Sequence, residues 1–409
     1  MDVMLSDNAK RFLCRLGFVA LCIIPTVWCL KYILFPPTDA QWAAQLQQQF
    51  GVANQPGEVR VLSPQRTDLS DWVLGNGDFE SHVIIDQASL QNRHDGRLLH
   101  ITQAAGSPAA IWHMLNRMTW QLSRTSKSDR PQRVLFESVS FLQADGKVMP
   151  GGTWKQLNLL VGDQGRRWTI SFLPAELAPT NAEEDTKTVT IKRTADAHGY
   201  HWYVDARGWQ LPVALLQAGI PILHGVNPDA VMINGLASLR ENQGRWSGEV
   251  RGQIGGIDLE YVVQRNFGTA ISGVATATIT SAIIADNRLQ EIEGHLISSS
   301  GVIGADLLAG FRECLAMQIV QPYGGQDQTY RDLRFGFLMR NHALAIFADE
   351  AGAIAHSDDG HAMLIPPHGQ PHPVNNLFAL LAWPHQHFFA TPLTPNVASL
   401  AQRIALPGG

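Results

Sequence analysis

Ile233-Asn-Gly-Leu-Ala237, Gly244-Arg-Trp-Ser-Gly-Glu-Val-Arg-Gly252 and Gly256-Ile-Asp-Leu259 follow one another. Ile271-Ser-Gly-Val-Ala275, Asn287-Arg-Leu-Gln-Glu-Ile-Glu-Gly294 and Gly304-Ala-Asp-Leu-Leu308 then repeat the same order of features. Within this stretch, Val231–Gly310, residue type alternates with a period of two. Val231, Ile233, Gly235, Ala237 and Leu239 share one parity. Trp246, Gly248, Val250, Gly252 and Ile254 share another, against Ser247, Glu249, Arg251 and Gln253. In the second unit Ile292, Gly294 and Leu296 oppose Glu291, Glu293 and His295. Successive side chains of a strand point to opposite faces, so this pattern predicts half-buried antiparallel strands with one wet face. Glycine at every second apolar position lets the backbone curve, or lets a bulky group approach it.

Outward from that stretch, Gly304–Val320 is expected to be an amphipathic helix closing the sheet, with Leu307, Phe311, Leu315 and Ile319 four residues apart. Before it, Leu157, Leu159 and Val161 alternate. Gly162-Asp-Gln-Gly165 turns them into Trp168, Ile170 and Phe172, a hairpin pattern. Leu135, Val139 and Phe141 are assigned to one face of the preceding strand. Thr188–Lys192 and Tyr200–Ala206 form the next pair, with Tyr200, Trp202 and Val204 on one face. Leu211-Pro212 opens a short helix over Val213–Ala218. Nearer the start, Thr38 is positioned to cap a helix over Asp39–Phe50. Glu58–Leu62, Phe79–Ile85 and Arg97–Thr102 read as strands, and Ser107-Pro108 starts a helix through Ile111, Trp112, Leu115 and Met118. Toward the end, Leu333–Met339, Ala343–Phe347 and Met363–Ile365 read as strands. Asn376–Trp383 and Pro395–Ile404 read as helices.

The chain has 409 residues, 45% hydrophobic and 16% charged, with a formal net charge of −5. That balance supplies no basic face for nucleic acid. Leu16–Leu30 is uncharged and is flanked by Arg15 and Lys31. A membrane helix needs about 20 residues. Phe12–Phe35 meets that length if the two flanking cations reach the head groups. Lys10, Arg11 and Arg15 precede the span, which orients the N-terminus to the cytoplasm and exports the rest. A cleaved signal peptide is the competing interpretation, but Ile33-Leu-Phe-Pro-Pro37 offers no small-x-small site. Of the four cysteines, only Cys314 lies beyond the apolar segment, so no internal disulfide staples the main body. The expected layout is a cytoplasmic N-terminus (1–11), an anchor (12–35), a membrane-proximal α+β region (36–133), a β-rich curved-sheet domain (134–330, with its capping helix at 304–320) and C-terminal strands and helices (331–409).

Ser272-Gly-Val-Ala-Thr-Ala-Thr-Ile279, Asn287-Arg-Leu-Gln-Glu-Ile-Glu-Gly294 and Gly301-Val-Ile-Gly-Ala-Asp-Leu-Leu308 follow a single N-terminal membrane pass. This organisation resembles the AsmA-like envelope proteins of bacteria, and more closely a set of uncharacterised planctomycete envelope proteins. In that set a Leu-Pro segment like Leu211-Pro212 and a terminal segment like Pro373-Val374-Asn-Asn-Leu377 recur. The type II secretion subunit N is similar more weakly. The match covers about Leu211–Leu308. The resemblance implies a sheet rolled into an open groove with an apolar interior, anchored in the bacterial inner membrane with its bulk in the periplasm. The implied role is lipid transport or envelope homeostasis, with a phospholipid or other lipid as ligand. Support of an envelope or secretion complex, through protein partners, is the alternative. This chain is much shorter than the lipid-bridging members.

The residues expected to line the groove are Val231, Ile233, Leu239, Trp246, Val250, Ile254, Ile292 and Leu296; Leu307, Phe311 and Leu315 belong to the capping helix. No catalytic residue, cofactor or metal is expected. His368-Gly-Gln-Pro-His372 and His385-Gln-His387 lack the spacing of a helical metal pair and read as loop histidines. Glu291 and Glu293 could form an acid–base pair, but they occupy the polar parity of their strand. No G-x-S-x-G elbow occurs. Cys314 flanks an apolar stripe, the setting of an inert thiol. The eleven tryptophans serve the core by default, with an aromatic-lined acyl groove as the functional alternative.

Overall fold

The computed structural model describes residues 38–51, 54–55, 57–63, 65–75, 82–93, 96–125, 131–175, 188–217, 231–264, 270–320, 324–348, 352–367 and 371–381, with Phe18 and Thr26. The protein is mainly β, with one large mixed sheet. Its main ladder runs in chain order: β1 Glu58–Ser63, β2 Arg66–Leu74, β3 Val83–Arg93, β4 Gly96–Gly106, β5 Gln132–Leu142, β6 Val148–Gly162, β7 Arg167–Pro174, β8 Val189–Asp196 and β9 Gly199–Asp205. It continues through β10 Met232–Asn242, β11 Arg245–Asp258, β12 Val274–Ala285, β13 Arg288–Ser298, β14 Asp332–Arg340 and β15 Ala343–Phe347. Each strand pairs antiparallel with the next, except β4 and β5, which are parallel. That exception requires a crossover. The helix α2 (Pro108–Thr125) supplies it.

Helices cover the apolar face at the N-terminal end of this ladder. In α1 (Asp39–Phe50), Thr38 and Gln41 form a reciprocal capping box, and Gly51 closes the helix in the left-handed conformation. Its stripe Trp42, Leu46 and Phe50 is buried. In α2, the Ala110 amide donates to Ser107 Oγ at 3.1 Å, and Pro108 occupies the first helical position. Ile111, Leu115, Met118 and Leu122 are buried against Trp72, Ile85, Ile101, Phe136 and Leu159 of the strands. Trp154 sits at the centre, stacked on Phe172 at 3.8 Å and edge-on to Phe141 at 4.4 Å. Such pairs contribute about 0.5–1.5 kcal/mol each beyond burial. The short α3 (Val213–Leu216) seals one side, where Trp112 Nε1 donates to the Leu215 carbonyl at 2.7 Å. This core is continuous from Leu46 to Leu216, and the expected limit at 133/134 falls inside β5, a strand of that core.

A second core gathers Leu259, Ile271, Ile303, Tyr330, Leu333, Ile354 and Leu364 under α4 (Ala305–Leu315) and α5 (Val374–Leu381). Leu307 and Leu315 are buried and Phe311 packs at the edge. The expected helix over Gly304–Val320 is shorter than the sequence pattern suggests. Ala316 takes φ 51°, the left-handed conformation that ends a helix, and Gln318–Ile319 becomes a strand paired with Leu364 and Ile365. Ile319 therefore reaches this core from a strand rather than from the helix.

Other expectations change as well. Arg66–Leu74 is a strand that its polar residues disguised. Asp71, at φ 50°, switches its buried parity from Thr67 and Leu69 to Trp72 and Leu74. The strand expected at Phe79–Ile85 is Val83–Arg93 instead, with Phe79 outside the described residues. Leu135 is not in the buried set of β5; Val134 and Phe136 are, followed by Val139 and Phe141 after a parity change. The sequence repeat is a repeat of hairpins only. Asp258 ends a strand and accepts the Tyr261 amide, whereas Asp306 opens α4. Among the described residues no helix is long and apolar enough to cross a membrane. Phe12–Phe35, apart from Phe18 and Thr26, and Pro395–Ile404 lie outside the described residues.

Candidate functional site

Between the two helix-covered cores lies the part of the ladder built by the opening stretch. Its registers align apolar residues into rows that cross the strands. Ile191, Val204, Ala237, Val250, Ala282, Ile292, Met339 and Leu344 stand opposite one another in turn, from β8 to β15. A parallel row runs Ile233, Ile254, Ala277, Leu296 and Phe335. Between these two rows stand Gly235, Gly252, Ile279, Gly294 and Phe337. With strands about 4.8 Å apart, the face from β9 to β14 spans about 24 Å, the scale of an extended acyl chain.

Two irregularities keep this face apolar. In β12 an extra residue at Thr280-Ser281 brings Ile279 opposite Gly252 and Ala282 opposite Val250. In β11 the extra residue is taken up near Gly256, at φ 73°, which brings Ile254 and Ile257 to the same face. Bulges of this kind bend a strand and raise its twist. The glycines have a backbone role too. Gly235 has φ 148°, and a Cβ there would collide with the Arg251 carbonyl; one on Gly252 would collide with the Asn234 carbonyl. Only glycine allows such close strands.

Helix α5 covers the β13–β15 end of these rows, where Met339 and Leu344 are buried with Val374, and Ile292, Phe337 and Leu377 pack against them. Leu296 and Phe335 pack against the second core and Ile233 against the first, whereas Val204, Ala237, Leu239, Val250 and Ile254 belong to none of the described clusters. In β10, no residue after Val231 is classed as buried, and none is in β11; most are half-buried. In the two cores, by contrast, the equivalent positions are sealed. Of the expected lining residues, Ile233, Leu239, Trp246, Val250, Ile254, Ile292 and Leu296 share this half-buried face. Val231 does not; it is 2% exposed, and its carbonyl accepts the Val213 amide at the start of α3. Leu307 and Leu315 lie in the second core, against which Leu296 and Phe335 of the rows also pack.

The other face of the same strands is polar and paired. Arg251 lies 2.6 Å from Glu249, which also accepts from Ser281 Oγ; the Arg251 contact holds the Glu249 carboxyl below the usual carboxylate range. Glu291 meets Arg340 at 3.3 Å, and Glu293 is exposed on the same side. Asp196 is held by His201 at 3.0 Å and Arg240 at 3.6 Å. These pairs place the two glutamates on the solvated face, where no second group joins them for proton transfer. A polar cavity of about 550 Å³ lies far along the ladder, lined by Glu58, Arg60, Arg66, Asp68 and His100. Its charges are already paired: Arg60 with Glu58, Arg66 with Asp68 and His100 with Glu137.

The Cys314 thiol is half-buried, and burial pushes its pKa up, away from reactive thiolate. Among the described residues no three His, Cys, Asp or Glu side chains converge to hold a metal. His356 and His372 lie on short strands; His368, His385 and His387 lie outside the described residues. Of the described tryptophans, Trp42, Trp72, Trp112, Trp154, Trp168 and Trp209 are buried, Trp202 and Trp246 are half-buried, and Trp120 is exposed beside Arg124.

The sequence reading missed Arg193. Its strand was expected to stop at Lys192, yet it continues to Asp196 and carries the parity Val189, Ile191, Arg193 onto the apolar face. The signal was that unbroken alternation. No protein-family model, no curated protein and no solved structure matches this chain.

Proposed function

We propose that the protein binds an apolar or amphipathic ligand, a lipid, along the half-buried apolar face of its sheet, and that it is a non-enzymatic envelope component anchored by Phe12–Phe35. One observation carries the reading. The middle of the apolar face, at Val204, Ala237, Leu239, Trp246, Val250 and Ile254, is half-buried and belongs to none of the buried clusters of the described residues. Apolar area left in water costs about 25 cal/mol per Å², so a face of this extent favours an occupant. The rows suit a chain-like ligand lying across the strands. The basic residues before the apolar N-terminal segment support a cytoplasmic N-terminus, with the sheet exported.

A photo-crosslinking amino acid placed at Val250, and separately at Glu249 on the opposite face, tests this in cells with the full chain. Lipid adducts at position 250 and none at 249 are the expected result. A single protein partner captured at 250 instead would favour the assembly role. No adduct at 250, with efficient crosslinking at 249, would overturn ligand binding on this face.

A further inference from the structure

The apolar rows end at one margin in a cation. Arg193 stands opposite Trp168 of β7 and Trp202 of β9, and Trp202 stands opposite Leu239. The guanidinium carbon is 4.7 Å from the centre of the Tyr200 ring, 5.3 Å from Trp168 and 5.8 Å from Trp202. Trp246 extends the aromatic cluster, 6.0 Å from Trp202. Arg193 Nε is buried and has no hydrogen-bond partner among the described residues. No carboxylate of the described residues forms an ion pair with it. Glu241 acts on it only through space, and accepts instead from Trp202 Nε1 at 3.4 Å.

Aromatic faces recover about 0.5–2 kcal/mol for a cation. They satisfy none of its N–H donors, and a buried donor left unmade is costly. Burial also works against the charge of this guanidinium. Nearby arginines behave otherwise: Arg207, Arg251 and Arg340 all hold carboxylates, on Asp205, Glu249 and Glu291. A planar fork with free donors, at the end of an apolar track, matches the oxygens of a carboxylate or phosphate.

We infer that Arg193, framed by Trp168, Tyr200 and Trp202, seats the anionic head of an amphiphile whose tail lies along the Val204–Ala237–Val250 row. This rests on the ligand-binding reading above. Arg193 pairs with Trp202, near the end of the β8–β9 hairpin where Asp196 pairs with Gly199, so a polar head there remains close to the margin of the sheet. The shared chemistry is a carboxylate or phosphate oxygen; the amphiphile, rather than a free anion, follows from the contiguous apolar row.

The test uses the full chain held in amphipol, with cis-parinaric acid and its methyl ester as probes, read by energy transfer from tryptophan. The acid is expected to bind about tenfold or more tighter than the ester, the factor that hydrogen bonds to a charged group supply. Arg193→Gln should abolish that preference while the ester still binds. Arg193→Lys, which keeps the charge without the fork, should fall between them and guards against misfolding of the first variant. Equal binding of acid and ester by the wild-type chain overturns the seat and leaves the groove intact. Failure of both probes overturns the groove as well. Inorganic phosphate separates the two anion sources: binding as tight as the acid overturns the amphiphile assignment, and acid bound far more tightly supports it.

Discussion

Val250→Asp separates an open face from a sealed one. Val250 is half-buried between Ala237 and Ala282 and belongs to none of the buried clusters of the described residues. Fully burying a valine contributes about 1.5–3 kcal/mol. A half-buried one therefore loses about 1 kcal/mol, with a few tenths more for aspartate's poor strand propensity. The new carboxylate keeps its water, so no ionic desolvation is added. The same change at Val139, which is 0% exposed in the first core, buries an unpaired charge and costs several kcal/mol. Urea unfolding of ligand-free protein should show a drop of about 1–1.5 kcal/mol for Val250→Asp. Val139→Asp should fail to fold or fall far lower. The Val250 variant should nevertheless lose parinarate binding, because a charge in the middle of the row is incompatible with an acyl chain. Val250→Asp destabilising as severely as Val139→Asp would refute the reasoning, since it would mean that the face is closed.

Further outcomes follow from single sites. Gly252→Ala should cost about 1–3 kcal/mol in thermal or urea melts, because its Cβ meets the Asn234 carbonyl and the strand must shift. Trp154→Ala, which removes the centre of the aromatic cluster, should cost about 3–5 kcal/mol by the same measurement. Ala316→Gly should stabilise by up to about 1 kcal/mol, because glycine adopts the left-handed φ of 51° without penalty. The side-chain hydrogen bond from Arg207 is the largest influence holding the Asp205 carboxyl below the usual carboxylate range. A depressed folded value means that its contribution is present above the unfolded pKa and is lost as pH falls through the folded one. Asp205→Asn should therefore be less stable than wild type near neutral pH, with the gap closing in strong acid; a gap that stays constant down to low pH would argue against the pairing.

Much of the protein was written locally. Thr38 and Gln41, Ser107 and Pro108, and the alternation of Leu157, Leu159 and Val161 each declare their element through contacts within a few residues. The period-two pattern of Met232–Asp258 likewise declared a two-faced sheet, because the side-chain period of a strand does not depend on its partners. Where sequence reasoning failed, a residue's conformation depended on something distant. Asp71 and Ala316 take left-handed φ, which shifts a parity or ends a helix. Leu135 lies before a change of parity in β5, so Val134 and Phe136 are buried in its place.

The amino-acid sequence alone determined that the region after the uncharged N-terminal segment is β-rich and that one face of its central strands is apolar. Only the tertiary structure decided which parts of that face are sealed. An alternating strand has the same pattern whether a helix lies on it or nothing does, since the pattern records the need for an apolar neighbour and not its identity. The two cores meet that need with α1, α2 and α3 at one end and α4 and α5 at the other. The register across β8–β12 then aligns the remaining residues into half-buried rows ending at Arg193. That alignment depends on the registers and bulges between successive strands, which the spacing within any one strand does not encode.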